Sequence, residues 1–474
     1  MIDFTLTNAE YQNDIMELVR LFDGAVSENF ALTADYCTKG DTFKICVTSD
    51  KFDGFAKNYY FPISKYDDEL MRKRVEKRYI KIAVYRTLGF LTGVELPYGC
   101  LTGIRPTKLY MEIQNDRDHY GKSAREVFVN DYGVSLEKVD LIEKIVGVQA
   151  PLRNKSEKEI DVFVFIPFCP TKCAYCSFVS LPLTRQRKLV EPYVECVIRE
   201  LEQTKALIKR NKWKVRAVYV GGGTPTSIGS EMLDKVLAHC HFKAKEFTVE
   251  AGRPDTIDDK MIDMLLSHGV TRISVNPQTF NAHTLELIGR QHKVGDTVNA
   301  YACAKGRLDV NMDLIAMLPE ETFEDFKYSV DTTVALSPEN VTVHTLYLKK
   351  GSALKLDGYD NTDCETATKM VDYAYKKLTA AGYVPYYMYR QKYTSGNLEN
   401  VGYAKPGKEC LYNIDIMEED TPIIANGANG ISKKIDRDIN LITRCANYKE
   451  PLEYIKSIDL MLDRQKEFWG TSCH

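Results

Sequence analysis

Over the middle of the chain, short apolar runs alternate with longer segments of helical period. The runs at 160–168, 216–220, 246–250, 272–276, 309–316 and 340–348 predict strands. The segments at 185–209, 230–240, 258–267, 282–288, 322–336 and 365–381 predict helices. Six βα units in a row imply a parallel sheet with helices outside it, an α/β fold. Six units fit a partial (βα)6 barrel better than a flat sheet, and such folds carry their chemistry at the C-terminal ends of the strands. The pattern upstream is different. Strands at 1–7 and 41–48, a helix at 67–88 and a second one at 109–113 predict an N-terminal α+β domain over 1–155. Its long helix carries an apolar stripe of Val75, Tyr79, Ile82 and Tyr85. The other face carries Arg72, Lys73, Arg74, Lys77, Arg78 and Lys81, which suits either solvent or an anionic partner. The polar stretch 153–159 reads as a linker. The barrel is expected over 156–385, and a Gly- and Asn-rich C-terminal region over 386–474, helical at 451–466.

Composition narrows the class. At 44% hydrophobic and 27% charged, the 474 residues are an ordinary globular chain, not a disordered one. A formal charge of −3 excludes bulk binding to nucleic acid. The start, Met1-Ile-Asp-Phe-Thr, has no basic and apolar leader pattern, and the longest apolar stretch, 162–168, is far short of a membrane span. The expectation is a cytoplasmic protein. Thirteen cysteines, an odd and scattered set, do not read as a disulfide framework.

Three of the cysteines stand together. The first barrel strand runs into Phe165-Ile-Pro-Phe-Cys169-Pro-Thr-Lys-Cys173-Ala-Tyr-Cys176, a C-x3-C-x2-C spacing on a strand-terminal loop. Zinc favours four closed ligands, and no fourth Cys or His is near. An iron–sulfur cluster suits thiolates on such a loop, and three protein ligands leave one iron open to a substrate or cofactor. By contrast, His239-Cys240-His241 are adjacent at a helix end and point apart, so they read as structural.

The loop resembles that of the radical S-adenosylmethionine superfamily, with Tyr175 as the aromatic before the last cysteine. The resemblance implies a [4Fe–4S] cluster on Cys169, Cys173 and Cys176. S-adenosylmethionine on the open iron would be cleaved by one electron to give a 5′-deoxyadenosyl radical. The second strand ends in Gly221-Gly-Gly-Thr-Pro-Thr226. Glycines there let backbone N–H groups approach a carboxylate, and the turn is similar to the superfamily's cofactor-binding turn, with Gly222, Gly223 and Thr224 as contacts. The third strand ends in Glu250, placed to hold an ammonium group.

Further strand ends carry Gln278, Arg290 and Asp313. Together this set resembles the oxygen-independent coproporphyrinogen III oxidase family over about 155–474, within a HemN-like C-terminal region. That family is described with two S-adenosylmethionine molecules. The resemblance places Glu250 at the first, with Ile431 as an apolar contact, and Gln278, Arg290 and Asp313 at the second. The stretches 103–109 and 399–410 look like the HemZ-type coproporphyrinogen dehydrogenases, which have an added N-terminal domain. The implied reaction is oxidative decarboxylation of two propionates of coproporphyrinogen III to the vinyl groups of protoporphyrinogen IX, in haem biosynthesis. It takes electrons from a donor such as flavodoxin or ferredoxin. Arg290, Arg253 and Arg105 are candidate contacts for the propionates, and no general base is evident.

Departures from the family's pattern matter. Where the oxidases read Tyr-x-His before Ile-Pro-Phe-Cys, this chain has Phe163 and Phe165. It has Phe178 where the oxidases often carry a further Cys. The family's haem-chaperone branch has a His-Asn-x-x-Tyr-Trp motif, and the matching residues here begin Tyr412-Asn413. Imidazole is the commoner haem ligand, so this speaks against a haem carrier. A haem-binding protein and a radical enzyme acting on another tetrapyrrole stay as alternatives.

Overall fold

The computed structural model describes residues 1–470 apart from 27, 64–68, 103–104, 117–119, 177, 349–351, 357, 360–362, 392–393 and 438–440. The start of the expected helix at 67–88, and Gly103 and Ile104 of the Gly/Pro turn, lie outside the described residues. Two compact units are formed, one by 1–146 with 389–399, the other by 147–388 with 400–474.

In the first unit, β1 (Ile2–Leu6), β2 (Phe30–Lys39), β3 (Thr42–Ser49) and β4 (Phe55–Pro62) form a sheet in that order. β1 runs parallel to β2 and the other pairs are antiparallel. Ile2, Phe4 and Leu6 face the core in strict alternation, as a one-sided strand requires. Helix α1 (Glu69–Thr92) buries Val75, Ile82 and Tyr85.

The second unit is built on β5 (Glu159–Ile166), β6 (Lys214–Gly222), β7 (Glu246–Val249), β8 (Arg272–Ser274), β9 (Asp309–Ala316) and β10 (Asn340–Thr345). These six lie side by side in chain order, all parallel. This is the expected partial (βα)6 arrangement. Helices such as α2 (Val190–Asn211) and α3 (Asp259–Ser267) cover it, the latter capped by the Asp258 carboxylate on the Met261 N–H. Val162, Val164, Val218, Val220, Ile273, Val310 and Met312 form the core beneath the helices.

Two regions depart from the expected pattern. A second helix, α4 (Val294–Ala304), stands between β8 and β9, where only 282–288 was expected to be helical. Gly295 and the β-branched residues lower its intrinsic propensity, and burial of Ala300, Tyr301 and Ala304 holds it instead. The C-terminal region is not simply loop and helix. It adds strands to both edges of the sheet, giving eleven among the described residues. β11 (Glu399–Ala404) pairs antiparallel with β10, and β12 (Ile423–Asn426) pairs parallel with β5. Helix α5 (Leu411–Glu418) lies between them in sequence. The terminal helical stretch is two helices, Pro451–Lys456 and Ile458–Gly470. Among the described residues, no helix is long and apolar enough to cross a membrane.

Candidate active site at the strand ends

The cysteine loop leaves the end of β5 and lies against the glycine turn that ends β6. The Gly223 N–H donates to the Ile166 carbonyl (2.8 Å) and the Thr224 N–H to the Phe168 carbonyl (2.7 Å). Cys169 Sγ is 3.6 Å from Thr224 Oγ1. Glycine is required here. A Cβ on Gly223 would stand 2.5 Å from the Phe168 carbonyl oxygen and 3.0 Å from Cys169 Sγ. Gly222 has φ +116°, and a Cβ there would meet the Phe165 ring at 2.8 Å. Phe165 is thus wedged against the turn.

The three thiols are half-buried and free of disulfides. Burial pushes the Cys169 thiol up to about 11 and raises that of Cys176. Thiols held this way lose their protons when a metal takes them up. Among the described residues, no three His, Cys, Asp or Glu side chains converge as a ready-made metal site. The chemistry of the donor set still fits a thiolate-bound cluster: three free thiols in eight residues, on a loop whose backing turn leaves no room for a Cβ.

Around this loop stand the other expected residues. Glu250 accepts from the Tyr219 hydroxyl (2.5 Å) and the Gly222 N–H (3.1 Å). Burial pushes its carboxyl up to about 7, against the pull of those two donors. Arg290 donates to the carbonyls of Asn276 (2.7 Å) and Gly252 (3.2 Å) and to the Tyr175 hydroxyl (3.3 Å), which joins it to the cysteine loop. Its Nε is buried without a partner. Gln278 has φ +65°, and its N–H donates to the Asp313 carbonyl at 2.9 Å. Its Oε1 is also buried and unpartnered. Asp313 accepts from Asn276 Nδ2 and Asn311 Nδ2, both at 2.7 Å. Burial would raise its carboxyl, but His344, Asn311 and Thr342 outweigh it and hold it below its ordinary value. Ile431 stands apart from these contacts, 44% exposed at a strand start opposite Ala446.

Arg253 corrects one expectation. Its guanidinium forks onto Asp255 (3.0 and 3.1 Å) and reaches Thr171 Oγ1 (3.0 Å). A cation already matched by a carboxylate is not a spare propionate contact, and its reach to Thr171 makes it a brace for the cysteine loop. His239 and His241 diverge as expected. His239 Nδ1 lies 2.9 Å from the Lys235 carbonyl, while the His241 ring stands 5.4 Å from the His268 ring.

Other residues of the mouth are absent from the sequence reading. Tyr219 positions Glu250, and Asn276 joins Asp313 to Arg290 through its side chain and its carbonyl. Strand alternation carried a signal for the first, since Tyr219 and Gly221 share a face of β6. His292 is buried (3% exposed) with neither ring nitrogen partnered. Burial lowers it to about 4, helped by Arg290 and Arg253. Inside the barrel, Tyr219 stacks on Tyr412 with ring centroids 4.3 Å apart, and Phe163 stacks on the same Tyr412 at 6.0 Å.

A parallel βα sheet with a three-cysteine loop at its first strand end, facing a glycine turn and a carboxylate, defines the radical S-adenosylmethionine class. The radical SAM superfamily pattern matches residues 163–332. The oxygen-independent coproporphyrinogen-III oxidase-like protein HemZ of Bacillus subtilis is 38% identical over 80% of this chain and 78% of its own. The heme chaperone HemW of Haemophilus influenzae is 27% identical over 63% of this chain and 76% of its own. The structure of coproporphyrinogen III oxidase (HemN) from Escherichia coli superposes with a TM-score of 0.53 at 20% identity, covering 67% of this chain and 73% of that one, and so shares the fold. The chain belongs to the radical SAM superfamily and, within it, to the oxygen-independent coproporphyrinogen-III oxidase-like proteins of the HemZ type. Membership implies a [4Fe–4S] cluster and S-adenosylmethionine.

Proposed function

We propose that this chain is a cytoplasmic enzyme that converts coproporphyrinogen III to protoporphyrinogen IX without oxygen. At each of two propionates, a hydrogen atom leaves the β-carbon, CO2 is lost, one electron passes to an external one-electron acceptor, and a vinyl group remains. The observation that carries the reading is the cysteine loop hydrogen-bonded to the glycine turn, with Glu250 and Arg290 beside it. Cys169, Cys173 and Cys176 would hold the cluster, which leaves one iron for S-adenosylmethionine. Together the two supply hydrogen-atom abstraction when bound.

The chain's own residues bind and orient. Gly222, Gly223 and Thr224 shape the wall of the turn beside the cofactor. Glu250, aimed by Tyr219, takes its ammonium group. Arg290 and Gln278, each with an unpartnered buried polar atom, and Asp313 offer a second set of contacts, for a second S-adenosylmethionine, with Ile431 as an apolar neighbour of the first. Tyr175 ties Arg290 to the loop. Phe163, Tyr219 and Tyr412 offer a stacked aromatic surface inside the barrel. Electrons would come from a flavodoxin or ferredoxin.

The heme chaperones among its relatives suggest the rival reading, a haem carrier. Tyr412 speaks against it. It is 6% exposed and stacked against two rings, so it offers no free axial ligand.

The test is anaerobic turnover of the reconstituted chain with S-adenosylmethionine, a reductant and coproporphyrinogen III. Vinyl porphyrins and 5′-deoxyadenosine should form together, and both should vanish in Cys173→Ala. Deoxyadenosine without vinyl product would assign another tetrapyrrole. Stoichiometric haem retention with no turnover would assign the carrier.

A further inference from the structure

The basic face of α1 is divided in two. Three of its four outer cations have carboxylate partners, Arg72 with Glu76 (3.8 Å), Lys73 with Glu10 (3.0 Å) and Glu69 (3.2 Å), and Lys77 with Asp14 (3.3 Å), while Arg74 is exposed to water. Arg78 and Lys81 are different. They stand three residues apart, on one side of the helix, and both are half-buried. Lys81 Nζ donates to Thr102 Oγ1 (2.6 Å) and Arg78 to the Tyr120 hydroxyl (2.8 Å). Among the described residues, no carboxylate pairs with either. The Arg78 guanidinium lies 5.5 Å from the centre of the Tyr132 ring, whose hydroxyl is buried without a hydrogen-bond partner. The neighbouring turn is tightly set. Gly99 (φ +52°) packs so closely on Tyr132 and Gly133 that a Cβ would overlap the Tyr132 carbonyl oxygen.

Two neighbouring half-buried cations with no carboxylate partner among the described residues are costly. A planar fork, an ammonium and the hydroxyl that the ammonium meets are the groups that recognise an oxyanion. Burial lowers the Lys81 ammonium below its ordinary value, with Asp14 and Glu17 pulling it back from a distance. A bound anion would restore it.

We propose that the first unit carries a binding site for the oxyanion group of a small ligand, a phosphate or a carboxylate, formed by Arg78, Lys81 and Thr102. The site needs no cluster and is independent of the proposed reaction. The test uses the full chain at constant ionic strength, which separates binding from screening. Inorganic phosphate and succinate are titrated separately, with thermal stability and ³¹P line width as readouts. A saturable rise in Tm with at least one anion is expected, and its midpoint should weaken at least tenfold in Lys81→Met and in Arg78→Gln. A response to phosphate alone assigns a phosphate ester, and a response to succinate alone a carboxylate. In the unmodified chain, the effective anion should also shield Lys81 from acylation, read by peptide mass, so the site stays testable if a variant fails to fold. No saturable response, an equal response in both variants, or unshielded Lys81 overturns the proposal.

Discussion

The two ends of the barrel are both rich in buried polar groups, and they use them differently. At the N-terminal ends of the strands, opposite charges meet. Arg216 lies 2.6 Å from Asp415, and the Glu246 carboxylate accepts the first N–H groups of α5, at Leu411 (2.9 Å) and Tyr412 (3.2 Å). Arg272 bonds Asn340 and the Lys408 carbonyl. At the C-terminal ends, Arg290 meets carbonyls, a phenol and the Cys173 thiol but no carboxylate, and Gln278 Oε1 and both ring nitrogens of His292 are buried without a partner among the described residues. At the floor opposite charges pair within the chain, although Arg272 Nε, Asp415 Oδ1 and Asp161 Oδ2 are buried there without hydrogen-bond partners. At the mouth the Arg290 cation meets no carboxylate among the described residues, and a ligand's charge can complete it.

The comparison breaks if floor and mouth respond alike to substitution. The largest effect is expected at the floor. Arg216→Met strands Asp415, whose carboxyl burial has already pushed up to about 7, and should cost ~3–5 kcal/mol. Chemical denaturation of the full chain checks this, and S-adenosylmethionine binding by the remaining folded fraction should be unchanged.

At the mouth, Glu250→Gln should weaken S-adenosylmethionine binding about ten- to a hundredfold, the loss of a charged hydrogen bond worth ~1.5–3 kcal/mol, with little change in Tm. Its pH dependence has a definite sign. Below about 7 the carboxyl holds its proton, so affinity for the cofactor's ammonium should rise as pH increases through 7, with proton release on binding. Calorimetry in buffers of different ionisation heat would show that release, and Glu250→Gln should abolish it. Gly223→Ala should cost ~1–3 kcal/mol by crowding, and iron content after reconstitution should fall further than stability does.

The smallest effect concerns His292. Its ring is lowered to about 4, while an unfolded histidine takes its proton near 6.5. The stability its neutral ring contributes is therefore complete above 6.5 and lost as pH falls towards 4. His292→Gln should flatten that part of a stability–pH curve by up to one proton. An unchanged slope would place His292 outside the comparison.

What the residues alone made legible follows the same division. The six strands were readable as apolar runs between helical segments, and the cysteine spacing and the carboxylates at strand ends marked the mouth. The floor was not legible. Arg216 and Asp415 are far apart in sequence, and no local pattern pairs them. The edge strands were missed because β12 has only four residues and β11 contains Asn400 and Gly402, weak strand formers. Glu246 read as a strand start, and only the fold sets it beneath the first turn of α5. Phe163 and Phe165 were plain as departures, but their consequences, the stack of Phe163 on Tyr219 and Tyr412 and the wedging of Phe165 against Gly222, need three-dimensional contact.

The pairing of β5 with β12 has a cost in time. The first barrel strand leaves the ribosome early, and the segment that covers its outer edge is made only after the rest of the barrel. At ordinary elongation rates this leaves an apolar edge open on the order of tens of seconds. Such an edge invites pairing with other chains. Newly made protein should therefore depend on holding factors until Ile423–Asn426 emerges, and truncations before that point should accumulate as aggregates.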